Sequence, residues 1–300
     1  MSVFEKVTRK KAKLRMALTG VSGAGKTLGA LYIASGITGG IWDKIALIDT
    51  EHERARFYAD RSDLNTGSFL YAPMLPPYSP ERYKQLVTEA AAAVGPDGVV
   101  IVDSLSHAWN NEGGVLEIKD KIAGQPGKNS YTAWNEAGRY QTDLINTILA
   151  VDCHTIVTMR SKMEYAMQEN DRGKMQPVKV GLAPVQRDDT EYEFDIVLDI
   201  ARNHIASASK DTTFLDKFGA VITPELGAQL KNWLDSGAEP ERCEICGRMI
   251  ISENGKTAQQ IIDAGLAHLK KKCCYSCFAQ KYREMKKEEK ENAGQNTDKA

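Results

Sequence analysis

The stretch Gly20-Val-Ser-Gly-Ala-Gly-Lys-Thr27 sets glycines, a lysine and a hydroxyl at the spacing G-x-x-x-x-G-K-[ST]. That spacing suits the capture of a phosphate chain. Glycines let backbone N–H groups approach phosphate oxygens with no Cβ in the way. Gly20, Val21, Ser22, Gly23, Ala24 and Gly25 form the cradle. Lys26 reaches the β- and γ-phosphates, and the Thr27 hydroxyl binds Mg²⁺. Leu28 opens a helical run, Leu28-Gly-Ala-Leu-Tyr-Ile-Ala34, whose partly positive N-terminus faces the same anion. A plain glycine-rich turn is the alternative; the apolar strand before the loop and the helix after it argue against that.

Two carboxylates extend the constellation. Asp103 closes the apolar run Val99–Val102, where a Mg²⁺-supporting carboxylate belongs. Glu51 lies just past Asp49, at the end of another apolar run. In a parallel sheet such C-terminal strand ends meet beside the phosphates. A glutamate there can orient or deprotonate an attacking water. The plainer readings are a strand-end cap for Asp103 and an exposed acidic turn for Glu51.

The elements that must hold these groups read as α/β. Strands are expected at 13–19, 44–49, 98–103 and 153–159, with a strand pair at 193–201 and 204–209. Helices are expected at 26–37, 81–94, 131–151 and 224–234. Residues 60–80, 110–130 and 161–190 read as irregular, the second as a long loop or a mobile helical insert. Short, wholly apolar strands alternating with helices imply a mostly parallel sheet with helices on both faces. The domain reading is 1–236 for a nucleotide-binding core, 237–282 for a cysteine-rich module and 283–300 for a charged tail, disordered or a frayed helix extension.

The 300 residues carry a net charge of -1, so no global basic field points to nucleic acid. No apolar run approaches the roughly 20 residues of a membrane span, and the basic N-terminus lacks a secretory h-region. A reducing, cytoplasmic setting is expected, since five of six cysteines crowd after Glu241 in a metal-site pattern rather than a disulfide one. Cys243, Cys246, Cys274 and Cys277 form two C-x-x-C pairs that suit tetrahedral Zn²⁺. Cys273 and His268 are possible substitute ligands, and redox-active or free thiols are rival readings. Within 161–187, Lys162, Arg172, Lys174 and Lys179 surround Tyr165. Phosphate contacts plus one stacking ring are what a single-strand groove requires. Glu164, Glu169 and Asp171 dilute the charge, and a solvated loop is the alternative.

Ala46-Leu-Ile-Asp-Thr-Glu-His52 and Ile101-Val-Asp-Ser104 resemble the RecA-type ATPase core. More closely, 13–235 resembles phage-encoded RecA-core ATPases of the Sak single-strand annealing type. Val102-Asp-Ser-Leu-Ser-His-Ala-Trp109, Thr158-Met-Arg-Ser-Lys-Met-Glu-Tyr165, Lys179-Val-Gly-Leu-Ala-Pro184, Glu191-Tyr-Glu-Phe-Asp195 and Ser209-Lys-Asp211 carry this. The resemblance implies a RecA-like P-loop fold that hydrolyses ATP with Mg²⁺, DNA-stimulated, with Glu51 as catalytic carboxylate and Asp103 on the metal side. It implies that Tyr58 stacks on adenine, that Arg160 couples the γ-phosphate to DNA, and that Lys210 reaches a neighbouring subunit's triphosphate in a ring or filament. The position that reads the adenine amino group in that family falls at Ala55, which has no group to do so. DNA-binding loops are implied after the strands ending at Asp103 and Met159. The expected function is an ATPase acting on single-stranded DNA in recombination or annealing, in the host cytoplasm if phage-encoded. The alternatives are a nucleotide-switched loader or scaffold that docks a replication or recombination protein through the zinc module, and a small-molecule phosphotransferase.

Overall fold

The computed structural model describes residues 8–169 and 175–297, with side chains over 8–162 and 183–287. It divides into two compact units, one of residues 13–234 and the other of residues 1–12 with 235–300.

The strands of the larger unit are β1 (Arg15–Gly20), β2 (Ile45–Asp49), β3 (Leu70–Pro73), β4 (Val99–Asp103), β5 (His154–Glu169), β6 (Met175–Pro184), β7 (Ile196–Ile200), β8 (Ile205–Asp211) and β9 (Gly219–Val221). Its helices are α1 (Lys26–Thr38), α2 (Pro80–Val94), α3 (His107–Asn110), α4 (Val115–Ala123), α5 (Ser130–Ala150) and α6 (Pro224–Asp235). Among the described residues the sheet runs β3-β2-β4-β5-β1-β7-β8-β9. The pairs from β3 to β7 are parallel; β8 and β9 return antiparallel.

Alternation along the strands feeds two cores. Met16, Leu18, Leu47, Ile101, Ile156 and Leu198 face the layer of α1 and α6, while Ala17, Ile48, Val100, Val102 and Val157 face α2 and α5. All five residues of β2 and of β4 are buried, as strands covered on both faces must be. The mostly parallel sheet flanked by helices is the architecture expected from the sequence.

Two stretches differ from expectation, and a third, 110–130, takes the helical of its two expected forms. Residues 60–80 contain β3, an edge strand paired with β2. Its proline and half-exposed pattern hide it from a search for apolar runs. Residues 110–130 hold α4, whose Val115 and Ile122 pack on Ala133 and Ala137 of α5. The glycines that suggested a loop flank that helix rather than interrupt it. The 161–190 stretch is not a loop throughout. β5 runs on past Arg160 as far as Glu169 and pairs antiparallel with β6, with a bulge between Glu164 and Tyr165. Tyr165 and Lys179 are opposite each other in backbone register. Arg172 and Lys174 lie outside the described residues.

In the smaller unit, α7 (Ala258–Leu269) and α8 (Tyr275–Thr297) pack around Ile250, Ile261, Ile262, Cys243, Cys273 and Cys274. Residues 9–11 pair with this unit: the Lys11 N–H donates to Ala238 and the Ala238 N–H to Arg9. The segment from 283, expected as disordered or a frayed helix extension, continues α8 to Thr297. Glutamate, lysine, glutamine and alanine favour helix without needing a core, and Gln280 and Lys281 both bond Glu284.

The α1–α6 crossing is unusually close. A Cβ on Gly36 would lie 1.9 Å from the Pro224 carbonyl oxygen, and one on Gly227 would lie 2.2 Å from the Ile33 oxygen. Gly36→Ala is therefore expected to lower unfolding free energy by about 3 kcal/mol, read as a shift in the urea midpoint at constant slope. An unchanged midpoint would contradict the crossing.

Candidate functional site

The site forms where the parallel strands end. Gly20 is in register with Arg160 on one side and Ile200 on the other, and Asp49 is level with Asp103. The loop from Gly20 turns back with positive φ at Gly23 and Gly25. A Cβ at Gly20 would strike the Ile200 oxygen at 2.6 Å, so only glycine lets the loop pass β7. α1 begins at Lys26 with no side chain capping it, and its first-turn amides face the loop. Lys26 Nζ donates to the carbonyls of Gly20 (2.8 Å) and Val21 (3.0 Å). Burial depresses its pKa, opposed by the negative fields of Asp103 and Glu51.

Asp103 is 2% exposed. Thr27 Oγ1 donates to its Oδ2 (2.6 Å) and Thr158 Oγ1 to its Oδ1 (2.5 Å). Burial pushes the carboxyl's pKa up, and the two hydroxyls pull it back. Thr27 and Asp103 thus present a hydroxyl and a carboxylate side by side, a hard oxygen pair suited to Mg²⁺ and its waters.

Glu51 sits opposite. Arg160 grips it with two bonds: Nε donates to Oε1 at 2.7 Å, and Nη2 pairs with Oε2. Burial works to raise the Glu51 pKa, but Arg160, with help from His107 and Lys26, outweighs it and holds the group below the usual carboxylate range. Asp49 fixes the backbone of this turn by accepting from the Glu51 N–H (2.6 Å), the Ala55 N–H (3.0 Å) and Tyr71 (3.0 Å). Ala55 is buried, so the turn's own packing occupies the position expected to read a base.

Two adjoining hollows share Gly23, Gly25 and Tyr58. A polar one of about 230 Å³ is lined by Lys26, Thr27, Glu51, Asp103 and Arg160 among others. An apolar one of about 450 Å³ is lined by Leu28, Tyr32, Tyr58, Ile200, His204 and Ile222 among others. The pair has the dimensions and polarity of a site for a phosphate chain and an aromatic base. His204 Nδ1 lies 2.9 Å from the Ala24 oxygen, tying the β7–β8 turn to the loop.

The structure thus brings together Gly20–Leu28, Glu51, Tyr58, Asp103 and Arg160. Lys210 lies apart: it is in register with Val197, on the far side of β7 from the loop end, and bonds the Tyr192 carbonyl. Lys162 is exposed on β5, just beyond Arg160. Sequence reading missed Thr158, Thr50, His107 and the wall formed by Tyr32, His204 and Ile222. Thr158 was recoverable, as a polar residue ending an apolar strand beside Asp103. The wall is assembled from segments distant in sequence and left no signal.

In the smaller unit the sulfurs of Cys243, Cys246, Cys274 and Cys277 all lie within 4.8 Å of one another. Cys246 and Cys274 sulfurs are 3.7 Å apart. Tetrahedral zinc with Zn–S of about 2.3 Å requires sulfurs about 3.8 Å apart, so the donor set fits. A hydrogen bond from Arg248 (3.5 Å) helps hold the Cys246 thiol down to about 6. Neither substitute ligand joins the cluster: His268 packs on Phe278 and Tyr282, and Cys273 is buried in the module's core.

A family model described as an AAA domain matches residues 12–261. No curated protein matches the chain. Among the described residues, no helix is long and apolar enough to cross a membrane.

Metal analysis of protein purified without chelator should find about one zinc per chain, and Cys246→Ser should lose it together with the helical signal of the module. Metal-free wild type would contradict the four-thiolate site.

Proposed function

The chain belongs to the AAA-domain family of P-loop NTPases, and on that premise we propose that it hydrolyses ATP on single-stranded DNA during recombination or annealing, as an oligomer. The observation that carries the hydrolytic half is the Glu51–Arg160 pair beside the phosphate loop. Arg160, bonded to Glu51 through two nitrogens, is a cation that a γ-phosphate can attract away. Lys26 exchanges the carbonyls of Gly20 and Val21 for phosphate oxygens, and Arg160 turns from Glu51 to the γ-phosphate. Glu51, freed, takes a proton from water as its oxygen bonds to the γ-phosphorus and the bond to the bridging oxygen breaks. Thr27 and Asp103 would hold Mg²⁺, which would supply neutralisation of the phosphate charge. The apolar cleft with Tyr58 takes the base.

The DNA half rests on the resemblance and on one feature of the fold. β5 carries Arg160 at the site and runs on through Lys162 and, past a bulge, Tyr165. Contact with DNA there pulls on the same strand that holds Arg160. The four-cysteine module favours a second reading, a nucleotide-switched loader that docks another protein.

The test is steady-state hydrolysis with and without single-stranded DNA. Glu51→Gln should cut kcat by about a hundredfold or more while nucleotide still binds, and DNA should raise wild-type turnover. Hydrolysis that survives the substitution contradicts the role of Glu51; turnover indifferent to DNA favours the loader. Replacing Lys174 and Lys179 by alanine should weaken single-strand binding and reduce its log–log salt slope by about 1.4. An unchanged slope removes the 161–187 stretch from the interface.

A further inference from the structure

The hydrolytic scheme leaves one buried titratable group unused. His107, 2% exposed at the start of α3, lies directly behind Glu51. Its Nδ1 is 2.6 Å from Thr50 Oγ1, and its Nε2 is 4.0 Å from Glu51 Oε1. The ring packs on Tyr78 with centroids 5.0 Å apart. Thr50 is itself a junction. Its Oγ1 accepts from the Ser104 N–H at 2.9 Å and lies 3.3 and 3.2 Å from the Asp103 and Ser104 carbonyl oxygens.

The Thr50 hydroxyl accepts from Ser104 and has one proton to give. We assign that proton to Nδ1, whose 2.6 Å contact is shorter than either carbonyl contact. The neutral ring then carries its own proton on Nε2, the nitrogen that faces Glu51.

We propose that His107 is a positioning residue for Glu51, its Nε2–H closing on Glu51 Oε1 when Arg160 leaves for the triphosphate. A largely buried carboxylate that loses both arginine bonds would otherwise swing toward Lys26, away from the water. The imidazole holds it from behind, and the chain Ser104–Thr50–His107 ties that hold to the strand end carrying Asp103. Glu51, Arg160, His52 and Tyr78 are the titratable groups around the ring. Burial pushes its pKa down, opposed by Glu51, so the ring is neutral at pH 7 and acts as a donor without adding charge. On acidification the ring gains a proton, and the resulting imidazolium opposes protonation of Glu51.

This inference rests on Glu51 being the base, and the experiment separates the two. His107→Phe keeps the ring and its packing on Tyr78 but loses both nitrogens; the Thr50 hydroxyl can turn to its carbonyl neighbours. His107→Gln sets an amide where Nε2 was. His107→Phe should lower kcat about tenfold with KM for ATP within about twofold. The acid limb of its kcat profile should move to higher pH, because no imidazolium resists protonation of Glu51. His107→Gln should recover kcat to within about threefold of wild type. Full turnover in a folded His107→Phe overturns the inference, as does a His107→Gln enzyme as slow as the phenylalanine variant. Glu51→Gln is the control. If it still hydrolyses, the base assignment falls; if it is inert while His107→Phe runs at full speed, the positioning role alone falls.

Discussion

The parallel register of β2, β4, β5, β1 and β7 is the constraint on which the site depends. Five strand ends point the same way, and the segment after each end becomes a wall of one cleft. Gly20 starts the phosphate loop, Glu51 comes after β2, Asp103 ends β4, Arg160 continues β5 and the His204 turn comes after β7. A one-residue slip in any pair would turn these side chains to the other face of the sheet. Such a slip is costly because both faces are packed: the same alternation that aims Thr158 at Asp103 buries Val157 against α2 and α5.

Within that frame the site stores its charges in pairs. Asp103 is deeply buried yet satisfied by two threonine hydroxyls, and Lys26 by two carbonyls of its own loop. Glu51 is satisfied by Arg160. A bidentate, charge-assisted pair is among the stronger polar contacts, but Arg160 is 41% exposed and can leave. In the proposed scheme ligand binding exchanges partners rather than exposing bare charges. The proposed hold of His107 on Glu51 belongs to the same pattern of exchange, since it supplies a donor when the arginine departs.

The parts legible in sequence were those built from contiguous residues. The phosphate loop, the buried strands at β2 and β4, the carboxylates at their ends and the paired cysteines each carry a local pattern that physics requires. The illegible parts came from distant segments meeting. β3 is short, half-exposed and ends in a proline, so no apolar run marks it. The β5–β6 stretch mixes charged and apolar residues with no regular alternation, so it reads as loop. His107 reads as a residue after a strand; its place behind Glu51 depends on the turn after β4 folding against the turn after β2. Tyr32, Tyr58, His204 and Ile222 reach the apolar hollow from four segments, and of these only Tyr58 was expected at the site.

The central claim is that Arg160 restrains Glu51 until a γ-phosphate draws it away. Calorimetric binding of ADP and of a non-hydrolysable ATP analogue to wild type and Glu51→Gln tests it directly. Losing the Glu51 charge frees Arg160 in advance, so the variant should gain about tenfold in affinity for the triphosphate analogue and far less for ADP. Equal gains for the two nucleotides, or none for either, would contradict the exchange of partners.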